Sequence, residues 1–70
     1  MAKSPYRLLT LQRAIGSGAY LLTYQKKSVT KKMLLTEISD KKLKRVKSED
    51  DGILKLAATF KSKFGFELVE

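Results

Sequence analysis

Nine cationic residues close together in the middle of the chain are the side chains best suited to bind a ligand. They are Lys26, Lys27, Lys31, Lys32, Lys41, Lys42, Lys44, Arg45 and Lys47. Lysines beside a polyanion release its condensed counterions, which gives an affinity that depends on salt and hardly on base sequence. The cluster therefore predicts contact with the phosphates of DNA or RNA. Its high lysine content favours charge-driven binding over the readout of bases.

The side-chain types that are missing argue against an enzyme. The sequence has no Cys and no His, so it lacks thiolates, the usual general base and the commonest zinc ligands. Asp50 and Asp51 are adjacent, but anions are favoured at the start of a helix, which explains them better than catalysis does. The Gly-Ser-Gly segment 16–18 predicts a hairpin turn, because it lacks the rest of a phosphate-loop motif. We expect no catalytic residue, no metal and no cofactor.

The charge is divided unequally along the chain. The 70 residues carry a net charge of +8. Residues 1–47 hold twelve basic and two acidic residues, a net charge of +10, whereas residues 48–70 hold three basic and five acidic residues, a net charge of −2. In a meander, the lysine-rich connections point to opposite ends of the sheet. The cations are therefore not required to form one patch.

A Leu-Leu-Thr triplet occurs three times at a spacing of 13 residues, at positions 8–10, 21–23 and 34–36. This spacing fits a strand of about seven residues plus a turn, as in an antiparallel meander. A fourth, weaker strand is predicted over 43–47. Chance recurrence of the common residues Leu and Thr is the competing explanation of the triplets.

Two helical alternatives stay open for the N-terminal half. Ser4 and Pro5 could begin a helix over residues 5–15, with Leu8, Leu11 and Ile15 on one face. A helix over residues 29–38 would form a helix-turn-helix with the segment 40–46.

The C-terminal segment predicts an amphipathic helix over residues 48–65, with Ser48 as its N-cap. Gly65 fits the left-handed position that ends a helix. Apolar residues at spacings of three and four form one stripe: Ile53, Leu56, Ala57, Phe60 and Phe64. The tail 66–70 alternates and predicts a short last strand.

The predicted fold is α+β, a single domain of residues 1–70. It has an antiparallel meander of three to four strands over the basic segment 1–47, with one C-terminal helix packed on one face. Four strands followed by a helix resemble, in architecture alone, the small single-strand-binding coactivators and the whirly-type proteins. No motif accompanies this resemblance, so it assigns no role to any residue.

Strand alternation assigns residues to two faces of the sheet. The bulkier set is expected in the core: Leu9, Leu11, Tyr20, Leu22, Tyr24, Met33 and Leu35. One helix leaves the opposite face uncovered, and this face is expected to offer a partner surface or dimer interface: Leu8, Thr10, Leu21, Thr23, Leu34 and Thr36. Tyr6 is placed on the same face as a candidate to stack on a base.

The leading function is that of a small, basic, non-enzymatic nucleic-acid-binding protein, such as a DNA-binding regulator of transcription, that grips phosphates through its lysine-rich connections and weak fourth strand. The alternative is a protein-binding module, a small inhibitor or regulatory subunit, that uses the uncovered face against an acidic partner. Self-association into a homodimer would enlarge the small core. No apolar run reaches the roughly 18–20 residues of a membrane helix, so we expect no membrane span and a cytoplasmic location.

Overall fold

Five strands form one sheet in the computed structural model, which describes residues 5–14, 16, 18–47 and 51–69. Their order in the sheet follows the chain: β1 (Tyr6–Arg13), β2 (Ala19–Lys26), β3 (Val29–Ser39), β4 (Lys42–Lys47) and β5 (Glu67–Val69). The first four strands are antiparallel, and β5 joins β4 in parallel. A 3₁₀ segment (Asp51–Leu56) and helix α1 (Ala57–Phe64) lie between β4 and β5. The predicted α+β meander with one C-terminal helix and a short last strand is confirmed.

The three Leu-Leu-Thr triplets lie in consecutive strands, as their spacing predicts. β2 and β3 pair without a register shift, with Leu21 opposite Leu34. The helical alternatives for residues 5–15 and 29–38 are wrong, because β1 and β3 lie in these segments and both pair with β2.

One face of the sheet forms the core together with the helical segment. Ile53 and Phe60 are fully buried and come from the 3₁₀ segment and α1, as the apolar stripe predicts. Phe66, the residue before β5, packs against Tyr20 of β2, and their ring centroids are 5.1 Å apart. The strands contribute the remaining buried apolar side chains: Leu8, Tyr20, Leu22, Tyr24, Met33, Leu35, Leu43 and Leu68.

A β-bulge in β1 changes which residues of that strand face the core. Leu8 pairs with Tyr24 and Thr10 pairs with Thr23, so Leu9 is an additional residue in the ladder. Leu8 therefore shares the face of Tyr24 and is 6% exposed. The prediction that Leu8 lies on the uncovered face is wrong, because it assumes unbroken alternation. Leu9, predicted in the core, is half-buried at the bulge.

The helical segment ends where predicted and begins differently. Gly65 has a φ of 78°, and its N–H donates to the Lys61 carbonyl at 2.8 Å. The first turns form a 3₁₀ helix rather than the α-helix expected from residue 48, and the proposed cap Ser48 lies outside the described residues. Gly52 lies against the ring of Tyr6 in this 3₁₀ segment, so the chain approaches β1 closely there.

Two successive leucines test the one-sided burial of the sheet. Leu35 is fully buried, whereas Leu34 is 45% exposed on the opposite face. We expect Leu35→Ala to lower the free energy of unfolding by about 2–5 kcal/mol, through lost burial and a cavity, or to unfold the domain outright. Leu34→Ala should change it by less than about 1 kcal/mol. Urea denaturation measures both values, and equal costs would mean that both faces are covered.

Candidate nucleic-acid interface

Most of the nine predicted cations lie in strands rather than in connections. Lys27 and Lys41 occupy two-residue turns, at 27–28 and 40–41. The other seven belong to β2, β3 and β4: Lys26, Lys31, Lys32, Lys42, Lys44, Arg45 and Lys47. Lys44, Arg45 and Lys47 lie in the fourth strand, as predicted. The cations expected in the two connections lie largely in strands instead, because β3 is 11 residues long and begins directly after a two-residue turn. The register of the ladder therefore decides which cations share a surface.

Some of the strand cations lie at the edge of the face that packs against the helix. Residues directly opposite each other in a ladder lie on the same face. Lys31 pairs with Tyr24 and Arg45 pairs with a buried leucine, and both cations are half-buried. Lys26 lies on this side too, because its Nζ is 5.3 Å from the ring centroid of Tyr6, within cation–π distance.

Other cations lie on the face of the sheet opposite the helix, which we call the open face. Lys32, Lys42 and Lys44 each adjoin a buried residue of their strand, so alternation turns their side chains to the open face. Arg7 adjoins the buried Leu8 in the same way. All four cations are exposed. The ladder register gives the composition of this face: Arg7, Thr10, Gln12, Ala19, Leu21, Thr23, Gln25, Thr30, Lys32, Leu34, Thr36, Ser39, Lys42, Lys44, Glu67 and Val69.

The open face has a positive charge in a neutral polar setting. Between the cations lie threonines and glutamines, whose side chains donate and accept hydrogen bonds without adding charge. Glu67 is the acid that lies on this face among the described residues, next to Lys42 in the ladder. Glu37 belongs to the other face, since it pairs with the buried Leu43. The charge is therefore least compensated around Lys32 and Lys44.

Five of the six residues predicted for a partner surface lie on the open face: Thr10, Leu21, Thr23, Leu34 and Thr36. The sixth, Leu8, belongs to the core. Arg7 was missed by sequence reasoning, and the same bulge explains both errors. The signal that could have found Arg7 is the neighbouring pair Tyr6 and Leu8, which are both apolar enough to be buried.

Tyr6 lies on the helix-side face, so its predicted placement on the uncovered face is wrong. Like Leu8 it precedes the bulge, and its ring centroid lies 5.9 Å from that of Tyr24. Tyr20 and Tyr24 are buried as predicted. The phenylalanines also pack in or against the core. Over the described residues, the open face therefore presents no aromatic ring for stacking.

Comparison with protein-family models, with curated proteins and with solved structures finds no match in any of the three. Within the described residues there is no group of three or more acidic, His or Cys side chains that could hold a metal ion. None of the helices in that portion of the chain combines the length and the apolar character needed to cross a membrane.

Gly52 provides a test of where Tyr6 lies. A Cβ atom at Gly52 would come within 2.8 Å of Tyr6 Cε2. We expect Gly52→Ala to lower the free energy of unfolding by about 1–3 kcal/mol, because the Tyr6 ring must leave its place beside Tyr24. In a Tyr6→Ala background, the same change should be neutral or stabilise by up to about 1 kcal/mol.

Urea denaturation of the parent, the two single variants and the double variant measures this coupling. The same cost for Gly52→Ala in both backgrounds would contradict the contact between Tyr6 and the 3₁₀ segment.

Proposed function

We propose that this protein binds nucleic acid, without catalysing a reaction, through the open face of its sheet. The observation that carries the proposal is the position of Lys32 and Lys44, together with Arg7 and Lys42, on the face that the helix leaves uncovered. These cations come from three strands, and Arg7, Lys32 and Lys44 are distant in sequence. The alternation that buries the core brings them onto one surface.

The proposed mechanism is phosphate contact driven by counterion release. A lysine ammonium acts as a compact charge that accepts many geometries, which suits a repeating phosphate backbone better than a single base edge. Thr23 lies opposite Lys32 and Thr36 lies opposite Lys44 in the ladder, so their hydroxyls are close enough to the lysines to donate to the same phosphates. Since the open face has no aromatic ring among the described residues, base stacking supplies none of the proposed affinity.

Binding of this kind is largely independent of base sequence. We therefore propose that the protein coats or organises DNA or RNA. The proposal also includes a cytoplasmic location and a role in the regulation of transcription. A homodimer would double the number of phosphates held by one particle and would raise the affinity through multivalency.

A second candidate function is binding of an acidic protein partner. The observation in its favour is the pair of leucines in the middle of the open face. Leu21 is half-buried and Leu34 is 45% exposed, and they lie opposite each other in the ladder. A partner that covered them would gain apolar burial, so its affinity would depend less on salt than that of a polyanion.

Salt dependence and charge reversal test the leading proposal. With the four open-face cations in contact with phosphates, the logarithm of the affinity for duplex DNA should fall against the logarithm of salt concentration with a slope of about −4 or steeper. Lys32→Glu combined with Lys44→Glu should weaken binding at least about tenfold at about 50 mM salt, and should reduce the slope by about 2. Fluorescence anisotropy with a labelled duplex and a labelled RNA measures both effects.

Lys61→Glu combined with Lys63→Glu is the matched control, because it changes the net charge equally in the last turn of α1. This control should bind at least about fivefold more tightly than the open-face variant. Absence of binding by the parent at about 50 mM salt, or equal losses in the two variants, would overturn the proposed open-face site.

A further inference from the structure

Both hairpin turns that flank β3 have a lysine in the left-handed region of backbone conformation. Lys27 has a φ of 51° and Ser28 a φ of 69° in the turn between β2 and β3. Lys41 has a φ of 58° in the turn between β3 and β4. Residues with a Cβ atom adopt such values uncommonly, and glycine or asparagine is preferred in turns of this kind.

The chain uses glycine at other left-handed positions. Gly16, in the connection between β1 and β2, has a φ of 77°, and Gly65, at the end of α1, has a φ of 78°. At both places the residue is glycine, which adopts a positive φ at the lowest cost in free energy. Each of the two β3 turns instead has a lysine in this conformation, Lys27 and Lys41, and these two residues add positive charge, whereas Ser28 does not.

Neighbouring strands hold both turn lysines in position. The N–H of Lys27 donates to the Pro5 carbonyl at 3.1 Å, just before β1. The carbonyl of Lys41 accepts from the N–H of Glu67, in β5, at 2.8 Å. An uncommon conformation persists where the surrounding structure fixes it, and such residues concentrate at functional sites. Both side chains are exposed, so the fixed backbone presents their charge to solvent.

The two turns lie at opposite ends of the sheet, one before and one after β3. β3 connects them with 11 residues, a separation of about 35 Å at the usual rise of a strand. This length is close to one helical turn of duplex DNA, about 34–36 Å. Lys32 and Lys44 lie between the turns, so the five positions Lys27, Lys32, Lys44, Lys42 and Lys41 follow one another along the sheet.

We propose that Lys27 and Lys41 bind phosphates at the two ends of an extended site, so that the open face holds about one helical turn of duplex nucleic acid. This inference rests on the proposed function and deepens it. The preferred ligand is a duplex, because phosphate contacts alone favour the higher charge density of two strands and stacking on single-stranded bases has no platform here.

The test replaces both turn lysines by the residue that suits their conformation. Lys27→Gly combined with Lys41→Gly should leave the unfolding midpoint unchanged or higher, since glycine relieves the left-handed strain. The same variant should bind a 14-base-pair duplex about tenfold more weakly at about 50 mM salt, with a slope reduced by about 2. Thermal unfolding and fluorescence anisotropy give the two readouts separately.

Two matched controls separate charge from conformation. Ser28→Gly relieves strain in the same turn without removing charge, and it should bind like the parent. Lys61→Gln combined with Lys63→Gln removes an equal number of positive charges from α1. This variant should weaken duplex binding less than about threefold. Parent-like binding by the double glycine variant would overturn the end contacts while leaving the open-face site in place.

A comparison of single-stranded and duplex ligands is a further test. A 14-nucleotide oligothymidylate should bind the parent more weakly than the 14-base-pair duplex, and tighter binding of the single strand would overturn the duplex preference. Failure of the parent to bind any of these ligands would overturn the proposed function itself, which is a result distinct from either outcome for the turn lysines.

Discussion

One-sided burial of the sheet is the constraint on which the rest of the structure depends. The helical segment covers one face, so outside the β-bulges each strand residue buried against it sends its neighbours to the other face. Met33 sends Lys32 outward, and Leu43 sends Lys42 and Lys44 outward. A slip of one residue would bury these ammonium groups at a large desolvation cost. The lysines therefore help to fix the register that the apolar residues select.

The sequence predicts β2 and β3 well, because unbroken alternation places Leu22 and Leu35 inside and Leu34 outside. In β1 the same rule fails at Leu8, since one added residue reverses the faces and no glycine or turn residue marks the place. The bulge allows Leu8 to join the core and Tyr6 to pack against it, and full burial of a leucine side chain contributes about 1.5–3 kcal/mol. That gain depends on the partner strand, so local pattern alone does not reveal it.

The candidate site was predictable in composition and less so in geometry. Polar runs around Lys31 and Lys42 have the composition of loops, yet both residues belong to strands. A strand with one face in water accepts lysine at every outward position, because the ammonium stays hydrated there. Which lysines share a face depends on the ladder, and Arg45, which adjoins Lys44 in sequence, belongs to the other face for that reason.

The two turns that flank β3 combine a cost in folding free energy with a gain in positive charge. A chain of 70 residues has a narrow stability margin, so an L-residue in a left-handed conformation is a substantial cost. Glycine minimises that cost at Gly65, where the backbone has to turn and no ligand is proposed. At Lys27 and Lys41 the same conformation accompanies an exposed positive charge at each end of β3. Under the proposed phosphate binding, each of these lysines adds a contact that a glycine would not supply.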